Sequence, residues 1–234
     1  MSGSNDNKLR ILALHGFRQS DVVFRSKIGS LRKNFKQKIE FYFARAPYVV
    51  PPLENDKKDD DEEKTGEDTD DTGEESRGWW FNTEDRAFKA IVPSNMSVGF
   101  EDSLKVIEKI FQEQGPFDGV LGFSQGASFV SILCAMQQKN LAHPSIKFKF
   151  AIMVCGFKSL CEPHAKFYDE QINLPAFIVY GTTDRLIPIE TAESLVNMFK
   201  DKKVFVHDGG HYIAGKKHIY NDFFSEMYAI KNSN

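Results

Sequence analysis

The sequence predicts an α/β fold with a mainly parallel central sheet and helices on both of its faces. Short apolar runs of strand length alternate with segments whose apolar residues recur at helical spacing. This alternation is typical of strand–helix–strand units, which build parallel sheets. The 234 residues and the hydrophobic content of 41% are sufficient for one large core. We therefore expect one domain over residues 1–234.

Six short apolar runs, rich in β-branched and aromatic residues, are predicted as the buried strands of this sheet. They cover 8–14, 39–43, 118–121, 148–155, 175–180 and 203–207. Five segments with apolar residues at helical spacing are predicted as helices. They cover 23–35, 99–114, 125–139, 189–199 and 216–230. The run 148–155 is long and almost wholly apolar, which favours the centre of the sheet.

The segment 54–76 differs in composition from the rest of the chain, because it holds 13 acidic residues, three lysines and almost no apolar residue. Such a segment cannot bury enough surface to offset its ordering entropy, so we predict an acidic disordered surface insert. It supplies all the acidity of a chain whose net charge is −3. Two interpretations stay open: a solvated loop without a specific role, or a surface for a protein partner with Thr65 and Thr72 as phosphorylation candidates.

Charge, cysteine content and hydropathy exclude several classes of protein. The basic residues outside the insert are scattered, so no nucleic-acid partner is expected. No signal peptide is recognisable, and no apolar stretch approaches the roughly 20 residues of a membrane helix. Cys134, Cys155 and Cys161 show neither a metal-ligand spacing nor an even disulfide framework, and Cys155 is interpreted as a small core residue. We expect a cytoplasmic protein, with the nucleus also open, that needs no metal and no organic cofactor.

The strongest chemical signal is the stretch 122–126, Gly-Phe-Ser-Gln-Gly, between a predicted strand and a predicted helix. This context is typical of a nucleophile elbow, in which a sharp turn exposes the hydroxyl of Ser124. Glycine is required at both ends because a side chain there would collide with the neighbouring strand or helix. The alternative is a glycine-rich turn whose serine is a buried helix cap.

Two further residues follow late strands and complete a catalytic triad with Ser124. Asp184 comes after the strand 175–180, and His211 comes after the strand 203–207. The order Ser, Asp, His along the chain is the order found in the α/β-hydrolase fold, which is therefore the fold class we predict. In this arrangement His211 acts as the general base and Asp184 orients it. Asp208, only three residues before His211, is a less natural acid.

An oxyanion hole is predicted from two backbone amides. The first strand ends in His15 and Gly16, and the glycine lets the chain turn so that the N–H of Phe17 faces the serine. The second amide is that of Gln125, at the positive end of the helix that follows Ser124. We interpret His15 as a residue that braces the turn by hydrogen bonds.

The aromatic residues after the insert suggest a substrate pocket. Trp79 and Trp80 follow the disordered segment at once, and large aromatic side chains are seldom exposed without a reason. We predict that they line an apolar pocket together with Phe157 and Tyr168 of the segment 156–173, which is a candidate cap. The alternative is that these aromatic residues pack in the core.

With these motifs in place, the sequence resembles the family of serine hydrolases, a group of α/β-hydrolases, and within it the ovarian-tumour-suppressor-candidate esterases of animals. The matching stretches are 14–20, 78–81, 115–127, 181–188 and 209–213. The resemblance covers nearly the whole chain except the acidic insert, which replaces a short loop of the family. It implies a soluble intracellular carboxylesterase for straight-chain, longer acyl esters, with Ser124, Asp184 and His211 as its triad.

The residues and the resemblance together predict a serine carboxylesterase that hydrolyses medium- to long-chain alkyl esters through an acyl-enzyme intermediate. Its partner is then a small-molecule acyl ester. An acyl-thioesterase or a lysophospholipase-like hydrolase is the alternative within the same chemistry. Two alternatives come from other classes: a non-catalytic hydrolase fold that binds a ligand or partner, and an interaction protein whose acidic insert is the functional part.

Overall fold

A computed structural model describes residues 7–51 and 73–233 of the chain. The strands are β1 (Leu9–Leu14), β2 (Ile39–Ala44), β3 (Tyr48–Val49), β4 (Arg77–Gly78), β5 (Gly119–Phe123), β6 (Phe150–Val154), β7 (Ala176–Gly181) and β8 (Lys202–His207). The helices are α1 (Asp21–Lys27), α2 (Gly29–Phe35), α3 (Phe100–Gln114), α4 (Gln125–Gln138), α5 (Ile189–Val196) and α6 (Lys217–Asn232), with a 3-10 helix at Glu162–Phe167. The predicted α/β architecture is confirmed.

The central sheet has six parallel strands in the order β2-β1-β5-β6-β7-β8. Because every strand is parallel to its neighbours, all six carboxyl ends meet at one edge of the sheet. The strand order reverses between β1 and β5, and the crevice at such a reversal is where open α/β sheets bind ligands. Leu14, the last residue of β1, pairs with Gly122 near the end of β5. The segments that carry Phe17 and Ser124 therefore leave the sheet side by side.

Alternation along the strands divides the core into two layers. In β1, Leu12 and Leu14 belong to a buried cluster with α3, α4 and α5, whereas Ile11 and Ala13 belong to a second cluster with α1, α2 and α6. The helices thus cover both faces of the sheet, as predicted. At one edge, β8 consists of half-buried and exposed residues, with none fully buried.

The predicted helix 23–35 is two helices, and the single-helix prediction is wrong in this detail. The helix α1 ends at Lys27, and the next residue, Ile28, donates its amide to the Phe24 carbonyl while its backbone leaves the helical region at φ −90° and ψ 19°. Gly29 then begins α2. Apolar spacing alone did not reveal this break, because the buried residues of both helices face the same layer of the core.

A two-stranded antiparallel ribbon, β3 with β4, closes the acidic insert at its base. Tyr48 pairs with Gly78, and the amide of Val50 donates to the Ser76 carbonyl at 2.7 Å. Arg77 also joins the ribbon to the loop after β1, because its carbonyl accepts from the Arg18 amide and its amide donates to the Gln19 carbonyl, both at 2.9 Å. The part of the insert from 54 to 72 lies outside the described residues. Its disorder and the single-domain boundaries stay predictions.

None of the helices within the two described ranges is long and apolar enough to cross a membrane.

Candidate active site

Ser124 lies at the turn between β5 and α4 in a strained backbone conformation, with φ 51° and ψ −116°. Positive φ is disfavoured for a residue with a Cβ, and such strain is often concentrated at functional positions. The Ser124 amide donates to the Val154 carbonyl of the adjacent strand at 2.9 Å, which holds the turn to the sheet. The hydroxyl makes no capping hydrogen bond to any described amide of α4, so the capping-serine alternative is wrong. The strained backbone and the position between a strand and a helix are typical of a nucleophile elbow.

The two glycines of the elbow are required by close backbone contacts. A Cβ on Gly122 would overlap the backbone of Gly126 and Ala127, and a Cβ on Gly126 would overlap the carbonyl oxygens of Leu14 and His15. The steric prediction for both glycines is confirmed. It means that β1, β5 and α4 touch each other directly through backbone at this point.

The loop after β1 passes next to the serine. A Cβ on Gly16 would lie only 3.3 Å from the Ser124 Cβ. Within the described residues, neither the Phe17 amide nor the Gln125 amide donates a hydrogen bond. Two backbone donors beside one serine are therefore left without a protein acceptor, which is what an oxyanion hole requires.

The side chain of Gln125 ties the elbow to the segment after β4. It is fully buried; its Oε1 accepts from the Trp79 amide at 2.9 Å, and its Nε2 donates to the Trp80 carbonyl at 2.7 Å. The indole Nε1 of Trp79 in turn donates to the His15 carbonyl at 2.8 Å. Gln125 and Trp79 thus connect the two segments that carry the unpaired amides.

His15 braces the turn after β1, as predicted. Its Nε2 accepts from the Ala46 amide at 3.1 Å, so Nδ1 carries the proton and donates to the Gly16 carbonyl at 2.8 Å. The ring is completely buried, and this burial lowers the pKa of His15 to about 4. The imidazole is neutral at pH 7 and serves to hold the turn.

Asp184 and His211 form a hydrogen-bonded pair on the loops after β7 and β8. The Nδ1 of His211 donates to Oδ2 of Asp184 at 2.7 Å, and Oδ1 accepts from the amides of Leu186 and Ile187 at 2.9 and 2.8 Å. Burial opposes ionisation of Asp184, but the hydrogen bonds and charge interaction with His211, with help from the two amides, keep the pKa of this carboxyl below its ordinary value. The rival acid, Asp208, has an exposed side chain.

The pair lies next to the elbow. The ring of His211 is 5.0 Å from the ring of Phe123, the residue that precedes Ser124. Within the described chain, Ser124 Oγ and His211 do not yet share a hydrogen bond. In enzymes without substrate such catalytic hydrogen bonds are often long and tighten only in the complex.

The four predicted pocket residues are all buried in the larger core cluster. Trp79 and Trp80 expose nothing, and Phe157 and Tyr168 expose 1% and 6% of their surfaces. The Trp80 ring contacts the rings of Phe88, Phe100, Phe129 and His164. In this conformation both tryptophans pack in the core, which the sequence left open as the alternative to a pocket wall.

Phe88, which the sequence did not suggest, is a half-buried aromatic residue packed against this cluster. Its ring centre lies 5.4 Å from that of Phe17 and 5.9 Å from that of Phe157. Asn82 fixes the loop that carries it, since Oδ1 accepts from the Lys89 amide at 2.8 Å and Nδ2 donates to the Lys89 carbonyl at 2.9 Å. The loop 82–99 has no periodic pattern and Phe88 is its one aromatic residue, so the sequence offered no signal for it.

The parallel sheet, the strained serine at the strand-order reversal and the Asp–His pair at the same edge define an α/β-hydrolase of the serine-nucleophile class. The family model for serine hydrolases (FSH1) matches residues 1–223. The chain belongs to this family, as the sequence motifs predict.

Curated relatives and solved structures agree with this assignment. The chain is 42% identical to Esterase OVCA2 of Xenopus tropicalis over 223 residues, which are 94% of this chain and 93% of that protein. Its fold is similar to that of Arabidopsis thaliana SOBER1, with a TM-score of 0.56 at 16% identity over 94% of this chain and 99% of the other. It is also similar to Zea mays acyl-protein thioesterase 2, with a TM-score of 0.59 at 14% identity over 99% and 96% of the two chains. The two structures show likeness of fold.

Proposed function

We propose that this chain is a serine carboxylesterase that hydrolyses small-molecule acyl esters through a Ser124–His211–Asp184 triad. Its family and its esterase relatives make it a carboxylic ester hydrolase. The observation that carries the assignment of residues is the 2.7 Å contact of His211 with Asp184 beside the strained Ser124.

The proposed mechanism begins with attack of Ser124 Oγ on the acyl carbonyl. The Nε2 of His211 accepts the hydroxyl proton, while Asp184 keeps the remaining proton on Nδ1 and stabilises the imidazolium. The same Nε2 proton then passes to the leaving alcohol, which leaves an acyl group on Ser124. Water attacks this acyl-enzyme and gives its proton to His211, which returns it to Ser124 Oγ as the bond to the acyl carbon breaks and the carboxylic acid departs.

The tetrahedral intermediates carry a negative oxygen that needs donors. The amides of Phe17 and Gln125 are proposed to bind it, since both lack an acceptor among the described residues and both flank Ser124. The helix dipole of α4 adds positive potential at the Gln125 amide. Loss of one such donor typically lowers kcat by about 100- to 1000-fold.

The proposed substrates are esters with medium- to long-chain acyl groups. The support is the aromatic surface that begins at Phe17 and continues through Phe88 and Phe157 toward the core, which suits an apolar chain. Thioesters and lysophospholipids share the reactive acyl carbonyl and are the competing substrate classes. A ligand-binding protein without catalysis is less well supported, because it would need neither the strained serine nor the hydrogen-bonded Asp184–His211 pair.

The decisive experiment is labelling with a fluorophosphonate, which reacts with an activated serine, on the wild type and on Ser124→Ala. We expect labelling of the wild type and none of the variant, together with a loss of esterase activity of about 10⁵- to 10⁶-fold. Labelling of Ser124→Ala, or a folded wild type that takes no label, would contradict the proposal. A series of p-nitrophenyl esters and the matching acyl-CoA thioesters, compared by kcat/KM, then separates the substrate classes.

We also propose that the protein works in the cytoplasm. All three cysteines are free and buried, which agrees with a reducing compartment. Fractionation of cells that express the tagged full chain tests this, and a purely nuclear or secreted distribution would contradict it.

A further inference from the structure

Cys155 occupies an unusual backbone position at the end of β6. Its φ is 49°, in the left-handed region that a residue with a Cβ seldom adopts. Its amide donates to the Val179 carbonyl of β7 at 2.8 Å, and the residue is completely buried. The backbone of both strands therefore holds a strained residue in place, and strain of this kind is a reason to look for a role.

The strained turn directs the Cys155 thiol at the catalytic loops. A carboxylate oxygen of Asp184, a ring nitrogen of His211 and Cys155 Sγ all lie within 4.8 Å of one another. Sγ is also 3.5 Å from the carbonyl oxygen of Tyr212, the residue after His211. One side chain from β6 thus meets the loop after β7 and the loop after β8.

The chemistry of this trio favours a hydrogen-bond donor at Cys155. Burial, reinforced by the negative charge of Asp184, raises the pKa of the thiol far above its ordinary value. The thiol therefore keeps its proton and has two acceptors, the Tyr212 carbonyl and the carboxylate of Asp184. A protonated thiol is a poor nucleophile, which argues against a second reactive centre.

Cys, Asp and His are also metal-ligand types, but this arrangement does not favour a metal. The facing atoms of Asp184 and His211 already share a hydrogen bond at 2.7 Å, and the other carboxylate oxygen accepts from two amides. A cation would have to replace these bonds and remove the proton from a thiol that strongly retains it.

We propose that Cys155 is a positioning residue for the Asp184–His211 pair. Its S–H binds the Tyr212 carbonyl and packs against Asp184, so it fixes the His211 loop, which lies at the sheet edge, to the central strand β6. The inference rests on the proposed function, because it assumes that His211 is the base. Without the thiol, the imidazole would keep its partner but would move relative to Ser124.

The test compares Cys155→Ala, Cys155→Gly and Cys155→Ser with the matched controls Cys134→Ala and Cys161→Ala. The controls also remove a buried thiol, and Cys155→Gly suits the positive φ, so it keeps the turn should the alanine variant fail to fold. The readouts are kcat and KM for one p-nitrophenyl ester, the rate of fluorophosphonate labelling, and the melting temperature.

We expect the alanine and glycine variants to lose about 10- to 100-fold in kcat, the range for a displacement of reacting groups by up to 1 Å. KM should stay within about twofold, and Cys155→Ser should recover most of kcat because its hydroxyl also donates. The inference is overturned by a kcat loss no larger than that of the control variants, or by a serine variant as slow as the glycine variant. Failure of the proposed function would look different, since Ser124→Ala would then still be labelled or active.

Discussion

The two halves of the candidate site are built in opposite ways. Ser124 stands on β5, whose residues are all buried between β1 and β6, and its glycines leave no space between backbones. His211 stands on the loop after β8, an edge strand with several exposed residues, and its ring is held by one hydrogen bond to Asp184. The nucleophile is fixed by the core, whereas the base is fixed by a few side-chain contacts.

This difference predicts which substitutions lower activity without lowering the stability of the fold. On the serine side the backbone that shapes the site is also the backbone that packs the core, so most changes there should affect both. On the histidine side the contacts that orient the base contribute little to the core, so activity should be lost while the fold persists. Four expected outcomes test this contrast, in order of decreasing magnitude.

The largest effect is expected for Asp184→Asn. The amide oxygen can still accept from Leu186 and Ile187, but the amide nitrogen would face His211 and favour the wrong tautomer. We expect kcat to fall by about 10⁴-fold, with a melting temperature close to that of the wild type. Asp208→Asn, an exposed acid on the neighbouring loop, is the control and should leave kcat unchanged. Equal losses in the two variants would refute the assignment.

Paired glycine substitutions compare the rigidity of the two sides. A Cβ on Gly126 would overlap backbone oxygens, whereas a Cβ on Gly210, in the His211 loop, would meet nothing closer than the Thr183 carbonyl at 3.6 Å. We expect Gly126→Ala to lower the free energy of unfolding by about 3 kcal/mol or more, and Gly210→Ala to change it by about 0.5 kcal/mol or less. Urea titration measures both free energies, and similar losses in the two variants would contradict a rigid serine side and a tolerant histidine side.

Because His15 is buried beside the elbow, we expect the free energy of unfolding to fall in acid. The pKa of His15 is lowered to about 4 in the folded protein by burial, against 6.5 for the unfolded chain. As pH falls below 6.5 the unfolded chain takes up the proton first, so stability decreases down to about pH 4, by about 3 kcal/mol in total. The buried His164, whose pKa burial also lowers to about 4, adds a similar effect.

Urea titrations at pH 7.0 and 4.5 measure this loss. The loss should be smaller in His15→Gln and unchanged in His218→Gln, because His218 is exposed. A pH dependence in His15→Gln equal to that of the wild type would show that this imidazole is not the group responsible.

The smallest effect is expected for Phe88→Ala, which tests the acyl surface. Removing this half-buried ring opens space between Phe17 and Phe157 without touching the triad. We expect kcat/KM for long-chain p-nitrophenyl esters to change by about 3- to 10-fold relative to the acetate ester, since the contact of a single methylene with an apolar pocket is worth about 1 kcal/mol or more. Phe205→Ala on β8 is the control. An identical chain-length profile in Phe88→Ala would remove Phe88 from the proposed site.

The sequence predicted best those features that depend on neighbouring residues in the chain. The elbow at 122–126 could be recognised because strand, glycines, serine and helix are contiguous, and Asp184 and His211 because each lies in the loop just after a strand. The division of 23–35 into two helices escaped prediction because both share one apolar face.

Features that depend on distant contacts could not be predicted in the same way. Aromatic residues suit both pockets and cores, so composition could not decide between these settings for Trp79 and Trp80. Cys155 was interpreted as a core residue, and its burial agrees, but its contacts with the two catalytic loops arise only when β6, β7 and β8 pair.

The base of the acidic insert has a mechanical consequence. The ribbon of β3 and β4 already brings the two ends of the insert together, so a change in the length of the intervening chain alters the loop-closure entropy only slowly, by about 0.6 kcal/mol per doubling. The same ribbon is bonded through both backbone groups of Arg77 to the loop that carries Phe17. The junction therefore tolerates variation in length, whereas a force on the insert would reach the proposed oxyanion loop through the backbone of Arg77 and through the side chain of Arg18, which donates to the Pro51 carbonyl at 3.0 Å.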